Sequence, residues 1–464
     1  MLDPIERMPR NGGLPIRLFL TPDLFPDAAT MAQLEELANA PGLGHYVAVL
    51  PDVHRKGRNI SPTGTVVVSP NSLVPRAMDI GINCGLRMIC SDIRVRNLSP
   101  STLDDLFGTL RRTVPGHQQE GEGLSKADVA DIFVRGGAWS AHRFGLSEDE
   151  LHRIEDRATT PTDTDDAEAI LASIPDKAVK KGRRRFCTLG GGNHFLELQE
   201  IVEVLDRDLA SLLGLSAGDA VFMLHSCGRG VAKKVMGAYL PELEQRFRPR
   251  QGAMAGSPFW SIPADSEEGR KFARAIAAVS NFGYANRIAI TEQIRAAVRQ
   301  VLRDDSLSLP LLYDCSHVSI KREQWNGERV WIHRHGASRA LPPSRFAGHP
   351  VFSKTGQPVP IPGSMGHDSF IGATEEPAVG AFYSVNHGAG RVLDKPDAAA
   401  TFSEAQVLDE MRNKNIRLYR YGIDNIVEQA PGSFKDVAQV NRAVSALHLA
   451  KPVVRLRPVA VLKG

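Results

Sequence analysis

Four apolar runs in this chain end on a histidine: VFMLH at His225, LLYDCSH at His317, VWIH at His333 and FYSVNH at His387. Short apolar runs rich in β-branched and aromatic residues read as buried strands. A buried strand that stops at an imidazole carries a titratable group to the edge of a sheet. Two further histidines fit nearby patterns, His54 in PDVHRKGRN and His194 in LGGGNHFLEL. One such histidine is more often a satisfied core residue. Five or six with the same placement reverse that expectation, because His is the side chain best suited to metal ligation and proton transfer. Strand ends that converge on one rim are where sites are built.

The rest of the chain must cover those strands. The 464 residues are 42% hydrophobic and 23% charged, ordinary for a globular protein. Residues 30–40 read as a helix, 45–50 and 63–68 as strands, and 270–302 as the longest helical region, broken near Gly283. Ser125 with Asp128, and Ser147 with Glu150, have capping-box spacing. The Thr- and Asp-rich residues 155–168 read as a solvated loop. Lys177 to Arg185 packs six bases into nine residues, either as the solvated flank of a strand or as a contact for a phosphate backbone. Residues 436–450 read as a last helix and 453–462 as a last strand. The elements interleave without a repeat or a clean βαβ series. The expectation is one intertwined α+β body over residues 1–464, a large mixed sheet with surrounding helices.

Composition also excludes. No run of about 18 apolar residues exists, so no membrane helix is expected. The acidic, apolar-poor start MLDPIERMPRNGG does not read as a signal peptide. Five cysteines argue against a disulfide framework and make a reducing cytoplasm the default. A net charge of +3 does not by itself imply nucleic acid.

Cys84 sits in MDIGINCGLRMI after an apolar stretch, with no CxxC pair nearby. A thiolate among several imidazoles suggests an open catalytic centre for one or two divalent metals, to which Asp79 could add a carboxylate. Cys90, Cys187, Cys227 and Cys315 are expected in packing or supporting roles. Glycine clusters recur in LGGGNH, HSCGRG, PGSMGHD and HGAGR, none of them a P-loop or a dinucleotide fingerprint. Together they describe a glycine-lined cavity whose backbone N–H groups suit phosphates. In HGAGR, Gly388 and Gly390 permit close backbone approach and Arg391 can fork onto a phosphate.

These blocks, taken in order from PDVHRKGRN through NCGLR, LGGGNHFLELQE, LHSCGRG, WIHRHGASRA, PGSMG, NHGAGR and APGSFKD to LRPVAVLKG, resemble the RtcB-type RNA-splicing ligases over nearly the whole chain. That family joins a 3′-phosphate or 2′,3′-cyclic phosphate RNA end to a 5′-hydroxyl, using GTP and manganese. The resemblance implies that His387 is guanylylated. It implies that Cys84 is shared by two metal ions, His194 serving one and His225 and His317 the other, with Asp79 as a further ligand. Asn193, Ser364 and the turn of Gly388, Ala389, Gly390 and Arg391 would contact the triphosphate and guanosine, and Glu197, Phe434 and Lys463 the guanine. Asp52, His54 and Arg229 would meet the RNA end.

The sequence departs from the family pattern. The usual D-x-x-C spacing is replaced by Asp79-Ile-Gly-Ile-Asn-Cys84, with Gly81 where the aspartate would fall. A regular strand would then point Asp79 away from Cys84, so a bulge or loop is expected to absorb the extra pair. Gly228 replaces a serine, His335 a lysine and Phe434 a tyrosine. Residues 115–185 match poorly and read as a divergent, mainly helical insertion, which points to damaged RNA as readily as to tRNA halves. Two competing readings are a metal-dependent phosphatase, cyclic phosphodiesterase or nuclease on the same scaffold, and a non-catalytic RNA-end-binding protein. The oligomeric state is left open, a monomer included.

Overall fold

The apolar runs become neighbouring strands. The computed structural model describes residues 2–464 apart from 11, 56, 58, 59, 117, 118, 252–255, 423 and 424, and describes the backbone but not the side chain of Arg229. Among the described residues an eight-stranded sheet runs in the order Leu311–Ser316, Gly85–Arg94, Asp219–Ser226, Phe195–Val204, Ala450–Lys463, Ser369–Thr374 and Pro358–Ile361, with Arg417–Arg420 also paired to Ala450–Lys463. That last pairing is parallel; the others are antiparallel. Side chains alternate between two apolar layers. Leu198, Phe222 and Leu224 pack into one, and Met88, Val221 and Leu456 into the other. A strand buried on both faces reads as a continuous apolar run, which is why VFML carries no polar alternation.

A six-stranded sheet holds Ile5–Arg7, Ile16–Leu18, Gly44–His54, Thr63–Ser69, Glu328–His335 and Val318–Trp325 in that order. The chain crosses between the sheets at His317, the single residue separating Leu311–Ser316 from Val318–Trp325. The fold is therefore α+β with mixed sheets, as expected. The helices Ala28–Ala38 and Val437–Ala446 and the strand Ala450–Lys463 lie close to their sequence-derived positions. Ser125 and Asp128 form a reciprocal capping box, and the Ser147 side chain accepts the Glu150 N–H. No helix among the described residues is long and apolar enough to cross a membrane.

Three expectations are corrected. The long helix Glu267–Leu302 is unbroken. Gly283 is there for close approach: a Cβ on it would sit 2.7 Å from the Asn83 side-chain oxygen. The basic run is the helix Asp176–Arg185, not the flank of a strand. Its bases point outward while Ala178 and Gly182 are buried, Gly182 against Val129 and Phe282.

The third correction concerns residues 155–168. The stretch 161–168 is solvated, but Glu155 is 1% exposed and belongs to a buried ion network. Lys321 Nζ donates to Glu155 Oε1 at 2.8 Å, to Asp156 Oδ2 at 2.5 Å and to the Tyr284 hydroxyl at 3.0 Å. Arg339 Nη1 donates to Asp156 Oδ1 at 2.7 Å. The Ser316 N–H and hydroxyl both donate to Glu155 Oε2, at 2.6 and 2.8 Å. Glu155 thus grips the residue next to His317. Burial alone would raise the Glu155 carboxyl, but Lys321, Arg339 and the Ser316 N–H outweigh it and hold it far below the usual range. A carboxylate lowered on folding adds stability above its ordinary pKa and loses it as pH falls.

Lys321→Met should leave two buried carboxylates with Arg339 as their one remaining shared cation among the described residues. The expected loss is about 3–5 kcal/mol, read as a lower denaturation midpoint at pH 7. The deficit should shrink as the pH falls and the wild-type carboxylates protonate.

Candidate active site

Strand order assembles the site. Along one edge of the eight-stranded sheet, consecutive strands present His317, Cys84, His225, His194 and Lys463, each at a strand end or one residue from it. Gly85 pairs with both Ser316 and Ser226, and Phe195 with both His225 and Lys463. The ladder continues past the strand ends, where the His317 N–H donates to the Cys84 carbonyl at 2.8 Å. Side chains distant in sequence therefore emerge side by side.

The donor atoms converge. Cys84 Sγ lies 3.2 Å from Nε2 of both His194 and His225, and the Nε2 atoms of His225 and His317 are 3.2 Å apart. Two groups have all their donor atoms within 4.8 Å of one another: Cys84, His225, His317, and Cys84, His194, Cys227. The His225 Nδ1–H donates to the Asn193 carbonyl at 3.1 Å, which leaves Nε2 as the nitrogen with a lone pair. Burial lowers the His225 imidazole, and lowers that of His317 to about 3, so both are neutral near pH 7. The Cys84 thiol is drawn well below its usual range, first by a hydrogen bond from Cys227 and then by the surrounding imidazoles, against the effect of burial. Neutral imidazoles around a low-pKa thiol are a donor set that fits soft or borderline divalent ions.

A guanidinium fixes the three ligand-bearing segments. Arg287, fully buried on the long helix, donates to the Asn83 carbonyl at 2.8 Å, the Asn83 side-chain oxygen at 2.8 Å and the Ser226 carbonyl at 3.1 Å. Its Nε donates to Asp314 at 2.9 Å. Asn83, Ser226 and Asp314 lie one, one and three residues from Cys84, His225 and His317. The neighbouring Asn286 donates to the Thr188 carbonyl and the Ser226 hydroxyl, and accepts the Thr188 N–H.

His387 approaches from the other side. It follows the short strand Ser384–Asn386, and its ring centroid lies 4.9 Å from that of His317. Its Nδ1 is 2.6 Å from Oδ2 of the fully buried Asp52. Nδ1 therefore carries the proton and Nε2 the lone pair. Gly390 explains the glycine turn: with φ at +77°, a Cβ would stand 2.2 Å from the Asp52 carbonyl oxygen. The turn lies against the strand Gly44–His54, which holds Asp52.

One pocket is lined by all nine residues expected to hold a nucleotide: Asn193, Glu197, Ser364, Gly388, Ala389, Gly390, Arg391, Phe434 and Lys463. His54, His225 and His387 share it. A larger, more open cleft lined by Arg111, Arg112 and Arg420 contains none of these histidines. Burial raises the Glu197 carboxyl to about 7 and lowers the Lys463 ammonium to about 8, each opposed by the charge of the other. Arg391 lies 4.7 Å over the Phe434 ring. It donates to the Leu393 and Glu428 carbonyls, leaving Nη1 without a protein partner among the described residues.

Comparison with known proteins places this arrangement. The profile of the tRNA-splicing ligase RtcB family matches residues 33–464. A tRNA-splicing ligase RtcB of Aeropyrum pernix is 34% identical over 94% of this chain and 91% of its own length. That of Pyrobaculum aerophilum is 30% identical over 97% and 95%. That of Pyrococcus abyssi is 33% identical over 82% of this chain, which corresponds to 42% of the relative's length. The chain belongs to the RtcB family.

The remaining expected residues fall as follows. Asp52, expected at the RNA end, has its carboxylate against His387 Nδ1. Residues 79–84 are a loop closed by a bond from the Cys84 N–H to the Gly81 carbonyl, so the extra pair is absorbed outside any strand. Asp79 belongs to neither of the converging groups. Arg229 opens the helix Arg229–Phe247, and its side chain lies outside the described residues. His333 is not at the rim: it is mid-strand, fully buried, and its Nε2 accepts the Val74 N–H at 2.9 Å. Sequence reasoning missed Asn286, Arg287 and Gln429, whose amide donates to the Asn193 side-chain oxygen at 3.0 Å. The signal for the first two was a polar pair inside the apolar helical stretch FGYANRIAI.

Arg287→Lys keeps a cation but not the fork. Metal affinity, measured by dialysis against a chelator series, should fall by roughly 10- to 100-fold while far-UV dichroism is retained.

Proposed function

We propose that this protein is an RNA ligase, joining 3′-phosphate or 2′,3′-cyclic phosphate ends to 5′-hydroxyl ends through a covalent His387–GMP intermediate. The whole chain, 1–464, is read as one catalytic body. The observation that carries the proposal is His387 itself, its Nδ1 tied to buried Asp52 and its ring against His317, inside the pocket that holds Glu197 and Lys463.

The neutral His387 Nε2 attacks the α-phosphorus of GTP. A nitrogen–phosphorus bond forms, the bond to the β-phosphate bridging oxygen breaks, and pyrophosphate leaves. Asp52 holds the imidazole in the reactive tautomer and offsets the positive charge it gains. A 2′,3′-cyclic end is first opened by water, which breaks the bond to the 2′-oxygen and leaves a 2′-hydroxyl and a 3′-phosphate; an oxygen of that 3′-phosphate then displaces His387 from the GMP phosphorus. The 5′-hydroxyl attacks the 3′-phosphorus, releases GMP and loses its proton. The N–H groups of Gly388 and Gly390 would orient phosphates, that of Ala389 being donated to the Pro362 carbonyl at 3.0 Å. Cys84 with His225 and His317, and Cys84 with His194, would hold two divalent ions, manganese in the family the chain resembles; when bound, such ions supply positive charge to the phosphate oxygens. An Asp–His pair also serves hydrolases; it is the pocket with Glu197 and Lys463, which water does not need, that favours the ligase over the phosphatase or nuclease reading.

The decisive measurement is covalent transfer from GTP labelled in its α-phosphate. His387→Ala should abolish the acid-labile label, and Asp52→Asn should slow labelling by roughly a hundredfold. A label that survives in folded His387→Ala would refute the nucleophile.

The guanine pocket adds a pH signature. GTP affinity should be greatest between about 7 and about 8. Below this window Glu197 takes up a proton, loses its charge and turns one oxygen into a donor; above it Lys463 loses its charge. Calorimetric titration across pH should show both limbs, and Glu197→Gln should lose the acidic one.

A further inference from the structure

Cys227 is a thiol that the chemistry above leaves unused. It directly follows the strand Asp219–Ser226 and is 4% exposed. A buried cysteine that only fills space faces apolar groups. This one faces a ligand. Its Sγ lies 3.5 Å from His194 Nε2, the nitrogen that faces Cys84 Sγ at 3.2 Å. The donor atoms of Cys84, His194 and Cys227 all lie within 4.8 Å of one another. One imidazole nitrogen is thus presented to two sulfurs. On the other side of the comparison, Gly81 stands where a carboxylate is usual, and Asp79 is in neither donor group.

We propose that Cys227 is a metal ligand: with Cys84 and His194 it forms a two-sulfur, one-nitrogen site, and Cys84 is shared with the His225–His317 site. The inference rests on the metal-centre part of the proposed function and extends it, naming a ligand and the class of ion. The two places differ in character. Cys84, His225 and His317 offer one sulfur and two nitrogens, whereas Cys84, His194 and Cys227 offer two sulfurs and one nitrogen. Thiolates select zinc and other soft or borderline ions over manganese, which prefers oxygen. The site with Cys227 therefore takes Zn2+ or Co2+ in preference to Mn2+. Three protein ligands leave a tetrahedral ion one open position, as catalytic sites do. Binding releases the thiol proton, so affinity rises with pH.

The test counts sulfur–metal bonds in the full chain, stripped of metal and loaded with two equivalents of Zn2+. With Cys84 bridging and Cys227 bound, two zinc ions share three sulfur bonds near 2.3 Å, so zinc-edge X-ray absorption should give about 1.5 sulfurs per ion; with Cys84 alone it gives about 1.0. Cys227→Ser should bring the count to about 1.0, weaken Zn2+ at that site by at least tenfold or so, and shift its preference toward Mn2+. Asp79→Asn should change none of these. A count of about 1.0 in the unaltered protein overturns the proposal, however the variant folds. Loss of Zn2+ in Asp79→Asn but not in Cys227→Ser overturns it as well. Absence of GMP labelling with the sulfur count intact would instead overturn the ligase reading and leave Cys227 as a ligand.

Discussion

The Arg287 guanidinium is the contact on which the site depends. It is fully buried and spends its donors on Asn83, Ser226 and Asp314, which belong to three different segments of the large sheet. A buried cation is tolerated only when its charge is matched and its N–H groups are satisfied. Asp314 supplies the charge and is shared with Arg87, itself fully buried. An arginine can do this because its planar fork points several donors in fixed directions, whereas a lysine offers one compact charge. The helix must come close for the fork to reach, and Gly283 against Asn83 allows it. Stability and ligand placement are therefore the same contacts.

A second network repeats the logic from the periphery. Glu155 and Asp156 enclose Lys321 and Arg339, and Glu155 accepts the Ser316 N–H beside His317. Residues 115–185 are thus tied to the body twice, through this network and through Val129, Ile132, Phe133 and Ala178 in the main core. Removing a single member of such a network costs more than the network contributes as a whole, because the partners left behind stay desolvated.

Much of the site was legible because chemistry concentrates at strand ends. The runs ending at His225, His317 and His387 announced buried strands with polar tips, and the glycine turn after His387 announced a close approach. The approach turned out to include the Asp52 carbonyl, at Gly390. His333 shows the limit of that reasoning. Its run looks the same in one dimension, but the strand continues to His335, so the imidazole stays in the core. The Asp52–His387 bond spans 335 residues and follows from strand order, which no local pattern encodes. Glu155 was hidden by composition: a Thr- and Asp-rich stretch reads as solvated throughout, whereas its first two acids turn inward. Arg287 was hidden by context, since two polar residues in an apolar helix do not say what they hold.

The strand Ala450–Lys463 lies between Phe195–Val204 and Ser369–Thr374, in the interior of the large sheet, and ends in the pocket at Lys463. During synthesis it is the last of the sheet's strands to leave the ribosome. Until it arrives, Phe195–Val204 has an unpaired edge and the pocket around Glu197 has no lysine. Such late, non-local pairing folds slowly and leaves apolar strand edges exposed in the meantime. A chain without this strand would carry Cys84, His194, His225 and His317 but no Lys463 beside Glu197. The order of the strands thus makes the large sheet, and the rim it carries, among the last parts of the molecule to close.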